Sequence, residues 1–343
     1  MIITDDSISK RKKEHLDISI RQDVQSNLSN GLETIQFVHN ALPEIDFNDI
    51  DTCGTLLGKN IEIPLLISSM TGGAKETIAI NQRLAEVAQS KKIAFAVGSQ
   101  RAAIENPDLM DTFNVRRWAK DVPVFANLGA VQLNYGFSID QCIKAIDMIE
   151  ADALILHLNP LQEAFQPEGN VNFKNLLPKI ENICKKISTP LIIKEVGWGI
   201  SYDVARRLGD VGVSIIDVAG AGGTSWAKIE MKRSNNKKTK ELASPFLSWG
   251  IPTVSAIKMV KAANSKLKII ASGGVKDGVD IAKCLALGAD ICGMAGILIK
   301  ESYKSKEDLI DFIDIIHEQL KICMFSIGAE SIDNITSDKI IEL

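Results

Sequence analysis

The sequence predicts a (β/α)₈ barrel, and three observations support that prediction. Eight short apolar runs rich in Val, Ile and Leu recur along the 343 residues. Most of them begin roughly 30 residues after the previous one, which is the size of a strand–helix unit. The runs are continuously apolar rather than alternating, as expected for parallel strands that are buried on both faces. A doubly wound sheet is the structural alternative, with fewer strands and a switch point.

The predicted strands each end in a polar or glycine-rich turn. In chain order they span residues 64–69, 93–97, 123–127, 153–157, 190–196, 213–218, 268–272 and 289–294. Apolar residues at helical spacing fill several intervals, at residues 78–88, 139–149 and 279–287, and Gly288 suits the position just after a helix. The last segment, residues 309–316, has the same helical spacing and predicts the final barrel helix.

Two parts of the chain depart from this repetition. Residues 1–60 precede the first strand and predict an arm or cap, which leaves residues 61–343 for the barrel. The longest interval follows the sixth strand and contains a charged segment, residues 228–241. That segment predicts a long loop, either simply solvated or a mobile lid that becomes ordered when a ligand binds.

The composition indicates a globular enzyme-sized protein. Hydrophobic residues make up 45% and charged residues 24% of the chain, and the net charge of −4 argues against a broad nucleic-acid-binding surface. No apolar stretch reaches the ~18 residues that span a bilayer. The N-terminus is polar and lacks the apolar region of a secretion signal, which predicts a cytoplasmic protein. Six dispersed cysteines predict buried free thiols in a reducing compartment rather than a metal site.

Polar and titratable residues collect at the predicted strand ends, where barrels of this class carry their active sites. The turns contain Ser69, Met70, Thr71, Ser99, Gln100, Arg101, Asn127, His157, Asn159, Gln162, Glu163, Lys194, Thr224, Gly274, Val275, Lys276, Ala295 and Gly296. The last two turns are rich in glycine, which lets backbone N–H groups approach an anion. They predict a phosphate site there, with tight turns of purely structural value as the alternative.

Three strand-end residues have both a structural and a functional interpretation. Lys194 lies in an apolar strand and needs a partner: Asp217, Glu195 or the electron-rich edge of a cofactor ring. Glu195 is the weaker choice because adjacent residues of a strand point to opposite faces. His157 is either a core histidine or a site residue. Glu163 is either an exposed carboxylate at a helix start or a ligand for Mg²⁺, which binds to one or two carboxylates plus substrate phosphates.

The N-terminal arm contains a basic cluster, Arg11-Lys12-Lys13-Glu14-His15. Such a cluster is often a solvated surface. Together with Arg101 it would instead neutralise a diphosphate, and arginine suits the bidentate contact that phosphate oxygens favour.

These motifs together resemble the type 2 isopentenyl-diphosphate isomerases. The resemblance covers most of the chain and rests on the basic cluster and on four further segments: 97–101 (VGSQR), 157–163 (HLNPLQE), 194–199 (KEVGWG) and 217–226 (DVAGAGGTSW). It implies a flavoprotein that converts isopentenyl diphosphate to dimethylallyl diphosphate with FMN and Mg²⁺. The flavin is reduced by NADPH although the reaction has no net redox change. The resemblance also implies a homo-oligomer, either a tetramer or an octamer.

The resemblance assigns roles residue by residue. FMN would be held by Ser69, Met70, Thr71, Ser99, Asn127, Lys194, Thr224, Gly274, Val275, Lys276, Ala295 and Gly296. The substrate would contact Arg11, Lys12, Ser99, Gln100, Arg101, Asn159 and Gln162, with Gln162 and His157 at the reacting carbons and Glu163 as the Mg²⁺ ligand. Lys276 departs from the pattern, because the family often has arginine there; the charge is kept but the fork geometry is lost.

Two other functions fit parts of the pattern. An FMN-dependent 2-hydroxy-acid oxidase or dehydrogenase would need a base near the flavin, and His157 is the histidine at a strand end. A barrel that merely binds flavin or phosphate, as a sensor or scaffold, would not need the pair Gln162 and Glu163 or the basic arm. The isomerase chemistry needs a proton added at one carbon and removed from another, with a cation-like intermediate kept from water.

Overall fold

The chain folds into a closed barrel of eight parallel strands, which confirms the predicted fold class. The computed structural model describes residues 5–74 and 77–343, with side chains from residue 11 onward. The elements in chain order are α1 (Asp5–Arg21), β1 (Ile35–Phe37), β2 (Gly54–Leu56), β3 (Lys59–Ile61), β4 (Leu65–Ile67), α2 (Ile78–Ser90), β5 (Ala94–Ala96), α3 (Arg101–Glu105), β6 (Val124–Gly129), α4 (Ile139–Met148), β7 (Ala153–Leu158), α5 (Pro160–Phe165), α6 (Leu176–Lys186), β8 (Leu191–Glu195), α7 (Tyr202–Asp210), β9 (Ile215–Asp217), α8 (Trp226–Arg233), α9 (Lys237–Ala243), α10 (Thr253–Ala263), β10 (Lys268–Ser272), α11 (Gly278–Ala286), β11 (Ile291–Met294), α12 (Gly296–Lys304), α13 (Lys306–Ile327) and β12 (Ile340–Glu342).

Strands β4 to β11 form the barrel in sequential order, with β11 pairing back onto β4. Each predicted apolar run contributes one of them. The register of neighbouring strands aligns His157 with Lys194, and Lys194 with Asp217. Polar groups from three consecutive strands therefore lie at one level, at the end where the strands finish.

The opposite end of the barrel is closed by the hairpin of β2 and β3. Leu56 and Ile61 from this hairpin pack with the inward-facing strand residues Leu66, Phe125 and Ile192, all of which are buried. The boundary predicted at residue 60 falls within β3. The apolar floor leaves only the C-terminal ends of the strands open to a polar ligand.

The N-terminal segment contacts both the C-terminus of the chain and the end of the barrel where the strands finish. Strand β1 pairs antiparallel with β12, so that residues near the start of the chain are hydrogen-bonded to its C-terminus. Helix α1 contacts α8 and α12, on the side where the barrel strands end. Two backbone hydrogen bonds, from Ser26 to Gly223 and from Ser225 to Val24, fasten the chain that follows α1 to the turn after β9.

The charged segment after β9 is helical, so the prediction of a long loop there was wrong. It forms α8 and α9, whose starts are capped by Ser225 and Asn236; each side chain accepts a hydrogen bond from a backbone N–H in the first turn. Ile229 and Glu230 are buried although the segment is strongly charged. The charged composition led to the wrong prediction because several of these charges are paired inside the protein rather than solvated.

Two further properties follow from the described residues. Their helices are each too short or too polar to cross a membrane. The six cysteines, all of them in the described part of the chain, are free thiols, as their spacing predicted. The prediction that they are buried is wrong for Cys53, which is exposed.

The contact between α11 and α13 gives a stability prediction. A Cβ added at Gly278 would overlap Ile316 O and Leu320 N, both of them backbone atoms. We expect Gly278→Ala to lower the free energy of unfolding by about 1–3 kcal/mol, because one helix must move away from the other. Gly54→Ala is the control, since its Cβ would meet only Ile61 at 3.8 Å. Denaturant unfolding measures both variants, and equal stability of the two would contradict the prediction.

Candidate active site

A cavity of about 360 Å³ lies at the C-terminal ends of the barrel strands. Every predicted site residue except Gln100 lines it. The group comprises Arg11, Lys12, Ser69, Met70, Thr71, Ser99, Arg101, Asn127, His157, Asn159, Gln162, Glu163, Lys194, Thr224, Gly274, Val275, Lys276, Ala295 and Gly296. The strand ends, the turns that follow them and helix α1 thus converge on a single space.

Gln100 does not take part in this convergence. Its side chain is fully buried within the barrel wall and does not line the cavity. The amide Nε2 donates to Ala145 O at 2.8 Å, and Oε1 accepts the backbone N–H of Asn127 at 2.9 Å. The prediction that Gln100 contacts the substrate is therefore corrected: the residue holds the β6 end in place, while Ser99 and Arg101 on either side line the cavity.

His157 is held in one orientation and is uncharged. Its Nδ1 lies 2.8 Å from Asn127 Oδ1. Burial, together with the charges of Lys194 and Lys12, lowers the pKa of His157 to about 4. A neutral imidazole bonded to an amide oxygen carries its proton on Nδ1, so Nε2 is left as an acceptor.

Lys194 pairs with Asp217, one of the partners predicted for it from the sequence. Its ammonium pairs with Asp217 Oδ2 at 3.0 Å and also lines the cavity. Asp217 is completely buried and accepts a 2.5 Å hydrogen bond from Ser272 Oγ. Glu195 faces away, as its place in the strand predicted: its carboxylate accepts backbone N–H groups of the turn at residues 196–198. The ion pair thus fixes a positive charge at the cavity wall.

Glu163 is a buried carboxylate at the start of α5 rather than an exposed one. Its two oxygens accept hydrogen bonds from Asn159 Nδ2 at 2.9 Å and from the backbone N–H of Asn170 at 2.5 Å. Asn159 Nδ2 also reaches Gln162 Oε1 at 3.2 Å. The three side chains of the 159–163 turn form one hydrogen-bonded group at the cavity wall.

Lys12 enters the cavity from α1 and is partly buried. Its ammonium donates to Gly72 O at 2.5 Å and to Ser99 O at 2.9 Å. Burial, followed by the nearby charges of Arg11 and Arg101, lowers the pKa of Lys12 to about 7. Three cationic side chains lie close enough to repel each other. A bound anion would offset this repulsion.

The two arginines approach the same turn from different sides. Arg101 donates to Asn170 Oδ1 at 2.9 Å and pairs with Glu105 at 2.8 Å. Arg11 lies 3.4 Å from Gln166 Oε1 and 3.7 Å from Glu168. Both guanidinium groups are therefore held at the cavity wall by neighbours that leave part of each fork available.

Glycine-rich turns after β9, β10 and β11 form a backbone cradle opposite these cations. A Cβ at Gly223 would lie 2.5 Å from Gly274 N, and one at Gly296 would lie 3.0 Å from Thr224 Oγ1. Gly274 has φ +80, a conformation that favours glycine. Close backbone approach and the start of α12 at Gly296 make this cradle suited to an anion.

Several cavity residues were not singled out from the sequence. They include His15, Ser68 and Gln166. His15 belongs to the basic cluster, and helical spacing from Arg11 places both on one face of α1, so that signal was present. Ser68 follows β4 directly, as strand-end position alone would indicate. Gln166 carries no local signal, because the tertiary fold brings it to the cavity.

Family and structure comparisons agree with this geometry. A family model described as FMN-dependent dehydrogenase matches residues 139–342. An isopentenyl-diphosphate delta-isomerase from Nostoc sp. is 50% identical over 95% of this chain and 93% of its own length. Its counterpart from Rickettsia bellii strain RML369-C is 49% identical over 95% of both chains.

Solved structures of low sequence identity share the fold of the chain. A mandelate oxidase with an FMN monooxide adduct has a TM-score of 0.68 at 16% identity and covers 95% of both chains. Flavocytochrome b2 with bound sulfite has a TM-score of 0.70 at 16% identity, covering 95% of this chain and 82% of that one. These likenesses establish the fold, whereas the closer sequence relatives establish the family: the chain belongs to the isopentenyl-diphosphate delta-isomerases, within the FMN-dependent dehydrogenase group.

Proposed function

We propose that the protein is a type 2 enzyme that isomerises isopentenyl diphosphate to dimethylallyl diphosphate with reduced FMN and Mg²⁺. One observation carries the proposal: a cluster of three cationic side chains and, among the described residues, a single carboxylate line the same cavity as a glycine cradle. The cations are Arg11, Lys12 and Arg101, and the carboxylate is Glu163. The cradle suits the phosphate of a flavin nucleotide, and the cations suit a second, diphosphate-bearing ligand.

The residues that surround the cradle fit FMN. The hydroxyl oxygens of Ser68 and Ser69 are buried without a protein hydrogen-bond partner, a costly state that a polar ligand would relieve. Lys194 supplies a fixed positive charge at the wall, which suits the electron-rich edge of the ring. Gly274 and Gly296 leave room for phosphate oxygens to reach backbone N–H groups. When bound and reduced, FMN supplies an electron-rich face and a nitrogen that carries a proton.

The residues present fit an Mg²⁺ ion that the protein and the substrate coordinate together, rather than one that protein side chains enclose alone. No group of three or more His, Cys, Asp or Glu side chains in the described ranges would hold a metal by itself. Glu163 is a carboxylate of the cavity wall, and Asn159 and the Asn170 backbone hold it in place. Mg²⁺ usually keeps several waters and takes one or two carboxylates plus substrate phosphates, which matches this wall.

The chain's own groups would position the substrate and hold the transferred proton. Arg11, Lys12 and Arg101 would anchor the diphosphate, which fixes the alkene relative to the ring. Gln162 has its Oε1 bonded to Asn159, so its Nε2 hydrogens are the part of the amide that would face the reacting carbons. His157 would offer Nε2 as an acceptor at the same cavity. Closing the cavity against water protects a cation-like intermediate.

The oxidase alternative is less well supported by the same geometry. Removal of a proton from a hydroxy acid at neutral pH needs a base with a pKa near 7. His157, the histidine at a strand end, has a pKa of about 4 in this cavity.

An anaerobic omission series tests the proposed activity against the oxidase activity. Product should form from isopentenyl diphosphate only when FMN, Mg²⁺ and a reductant are all present, and lactate and glycolate should not reduce the flavin. Reduction of the flavin by lactate or glycolate, with no product from isopentenyl diphosphate, would favour the oxidase.

The lowered pKa of Lys12 gives a second test with inorganic pyrophosphate. At pH 8 the ammonium of the free protein is mostly deprotonated, because its pKa is about 7. A bound anion favours the charged form, so binding at pH 8 should take up to about one more proton in the wild type than in Lys12→Met. At pH 6 the two proteins should differ little. Calorimetry in buffers of different ionisation enthalpy measures the uptake, and equal uptake at pH 8 would remove Lys12 from the anion site.

We also propose NADPH as the reductant, a homo-oligomeric assembly that is a tetramer or an octamer, and a cytoplasmic location. These proposals follow from the family resemblance. Reduction of the bound flavin by NADPH under anaerobic conditions, followed by its absorbance, tests the first of them.

A further inference from the structure

Arg233, the last residue of α8, contacts carboxylates from three separate segments of the chain. Its Nε lies 2.9 Å from Glu14, its Nη2 lies 2.6 Å from Glu168, and its Nη1 lies 3.0 Å from Glu230. The Arg233 side chain is only 18% exposed. All three nitrogens of one guanidinium are thus used in a partly buried place, where ion pairs are screened less than at the surface.

Each of these carboxylates is attached to a different part of the cavity wall. Glu14 belongs to α1, between Lys12 and His15, both of which line the cavity. Glu168 follows α5, close to the cavity residue Gln166. Glu230 accepts hydrogen bonds from Gln166 Nε2 at 2.7 Å and lies 2.8 Å from His15 Nε2. One cation therefore links α1, α8 and the turn after α5.

Other contacts also hold α1 against α8, including the pairing of His15 with Glu230 at 2.8 Å and an edge-on ring contact of His15 with Trp226. A small apolar cluster joins Ile18 and Val24 to Ile229, with Trp226 packed beside it. The backbone bonds to the turn after β9 begin only at Val24, beyond the end of α1. The first turns of α1, which contain Arg11 and Lys12, therefore depend on side-chain contacts such as those of Arg233.

Removing the cation would do more than delete one ion pair. Glu14, Glu168 and Glu230 would be left as neighbouring carboxylates without their shared partner, and like charges repel each other at short distance. Lysine keeps the charge but lacks the three-sided fork, so it would hold one or two of the carboxylates rather than all three.

We infer that Arg233 is a positioning residue that holds α1 against the cavity and so presents Arg11 and Lys12 to the substrate. The part of this inference that concerns substrate rests on the proposed function. The part that concerns α1 does not, because attachment of the helix is measurable without any ligand. The barrel turns that form the glycine cradle do not contact Arg233 in the ion-pair network described above, so FMN binding should be independent of it.

The test compares Arg233→Gln and Arg233→Lys with the wild type, with Arg206→Gln as the matched control. Arg206 is an arginine on α7 that pairs with Asp203 and Asp210, and it is 47% exposed. The first measurement is the rate of trypsin cleavage at Lys13 and Arg21 in the ligand-free protein. We expect Arg233→Gln to be cut at least about tenfold faster, with Arg233→Lys intermediate and the control unchanged.

The second measurement separates positioning from general damage. In Arg233→Gln the KM for isopentenyl diphosphate should rise at least about tenfold, while the Kd for FMN stays within about twofold of the wild type. Arg233→Lys should recover part of the loss in KM. Cleavage at wild-type rates would overturn the inference, and so would a parallel loss of FMN affinity. If the wild type fails to isomerise the substrate, the proposed function falls while cleavage and FMN affinity still decide the role of Arg233.

Discussion

Lys194→Met should weaken FMN binding by about ten- to a hundredfold. This is the loss expected when a protein loses a charged group that donates a hydrogen bond to its ligand. The same change leaves Asp217 buried without its cation, which should cost about 3–5 kcal/mol of stability. The two effects have different origins, because the Lys194 ammonium lines the cavity and also pairs with Asp217 Oδ2 at 3.0 Å. Equilibrium titration of the apoprotein with FMN and denaturant unfolding measure the two effects separately.

A double variant distinguishes the loss of the flavin contact from the loss of stability. Asp217→Asn keeps the shape of the buried side chain and removes its charge, so Lys194→Met with Asp217→Asn should recover much of the stability lost by the single variant. It should not recover FMN affinity, because the cation is still missing. If the double variant binds FMN as tightly as the wild type, Lys194 serves only its buried partner.

Glu163→Gln should abolish the dependence of activity on Mg²⁺ and lower kcat/KM by about a thousandfold, since an amide is a poor ligand for a hard cation. The fold should tolerate the change. The oxygen of the new amide would accept from Asn170 N, and its nitrogen would donate to the Oδ1 of a rotated Asn159, an atom that is buried without a partner in the wild type. FMN affinity should therefore stay unchanged.

The matched control for this variant is Glu181→Gln, which removes an exposed carboxylate paired with Lys185 on α6. Activity should be measured over a range of Mg²⁺ concentrations for both variants. A Glu163→Gln protein with the wild-type dependence on Mg²⁺ would remove Glu163 as the metal ligand.

The sequence predicted the barrel well because each strand carries its own signal. Parallel strands inside a barrel are buried on both faces, so runs such as residues 190–196 are apolar throughout and easily found. The position of the site followed from the same signal. Once the strands are placed, their C-terminal ends must meet at one end of the barrel, which brings His157, Lys194 and Asp217 to one level.

Features that depend on distant contacts were missed. Gln100 lies between two cavity residues, and adjacency along the chain does not reveal that its side chain points into the barrel wall. The helices α8 and α9 have the composition of a solvated loop, and their charges are satisfied by partners such as Glu14, more than two hundred residues away from Arg233 along the chain. The pairing of β1 with β12 joins two three-residue strands from opposite ends of the sequence.

The most direct test of the proposed reaction is an anaerobic NMR assay in D₂O, with isopentenyl diphosphate, FMN, Mg²⁺ and NADPH. Addition of a solvent-derived proton to the terminal alkene carbon creates a methyl group, and loss of a proton from the CH₂ group on the other side of the branched carbon completes the shift of the double bond. We expect dimethylallyl diphosphate that carries deuterium in that methyl group, formed only when the flavin is reduced. Absence of product from protein that demonstrably holds reduced FMN and Mg²⁺ would contradict the proposed reaction.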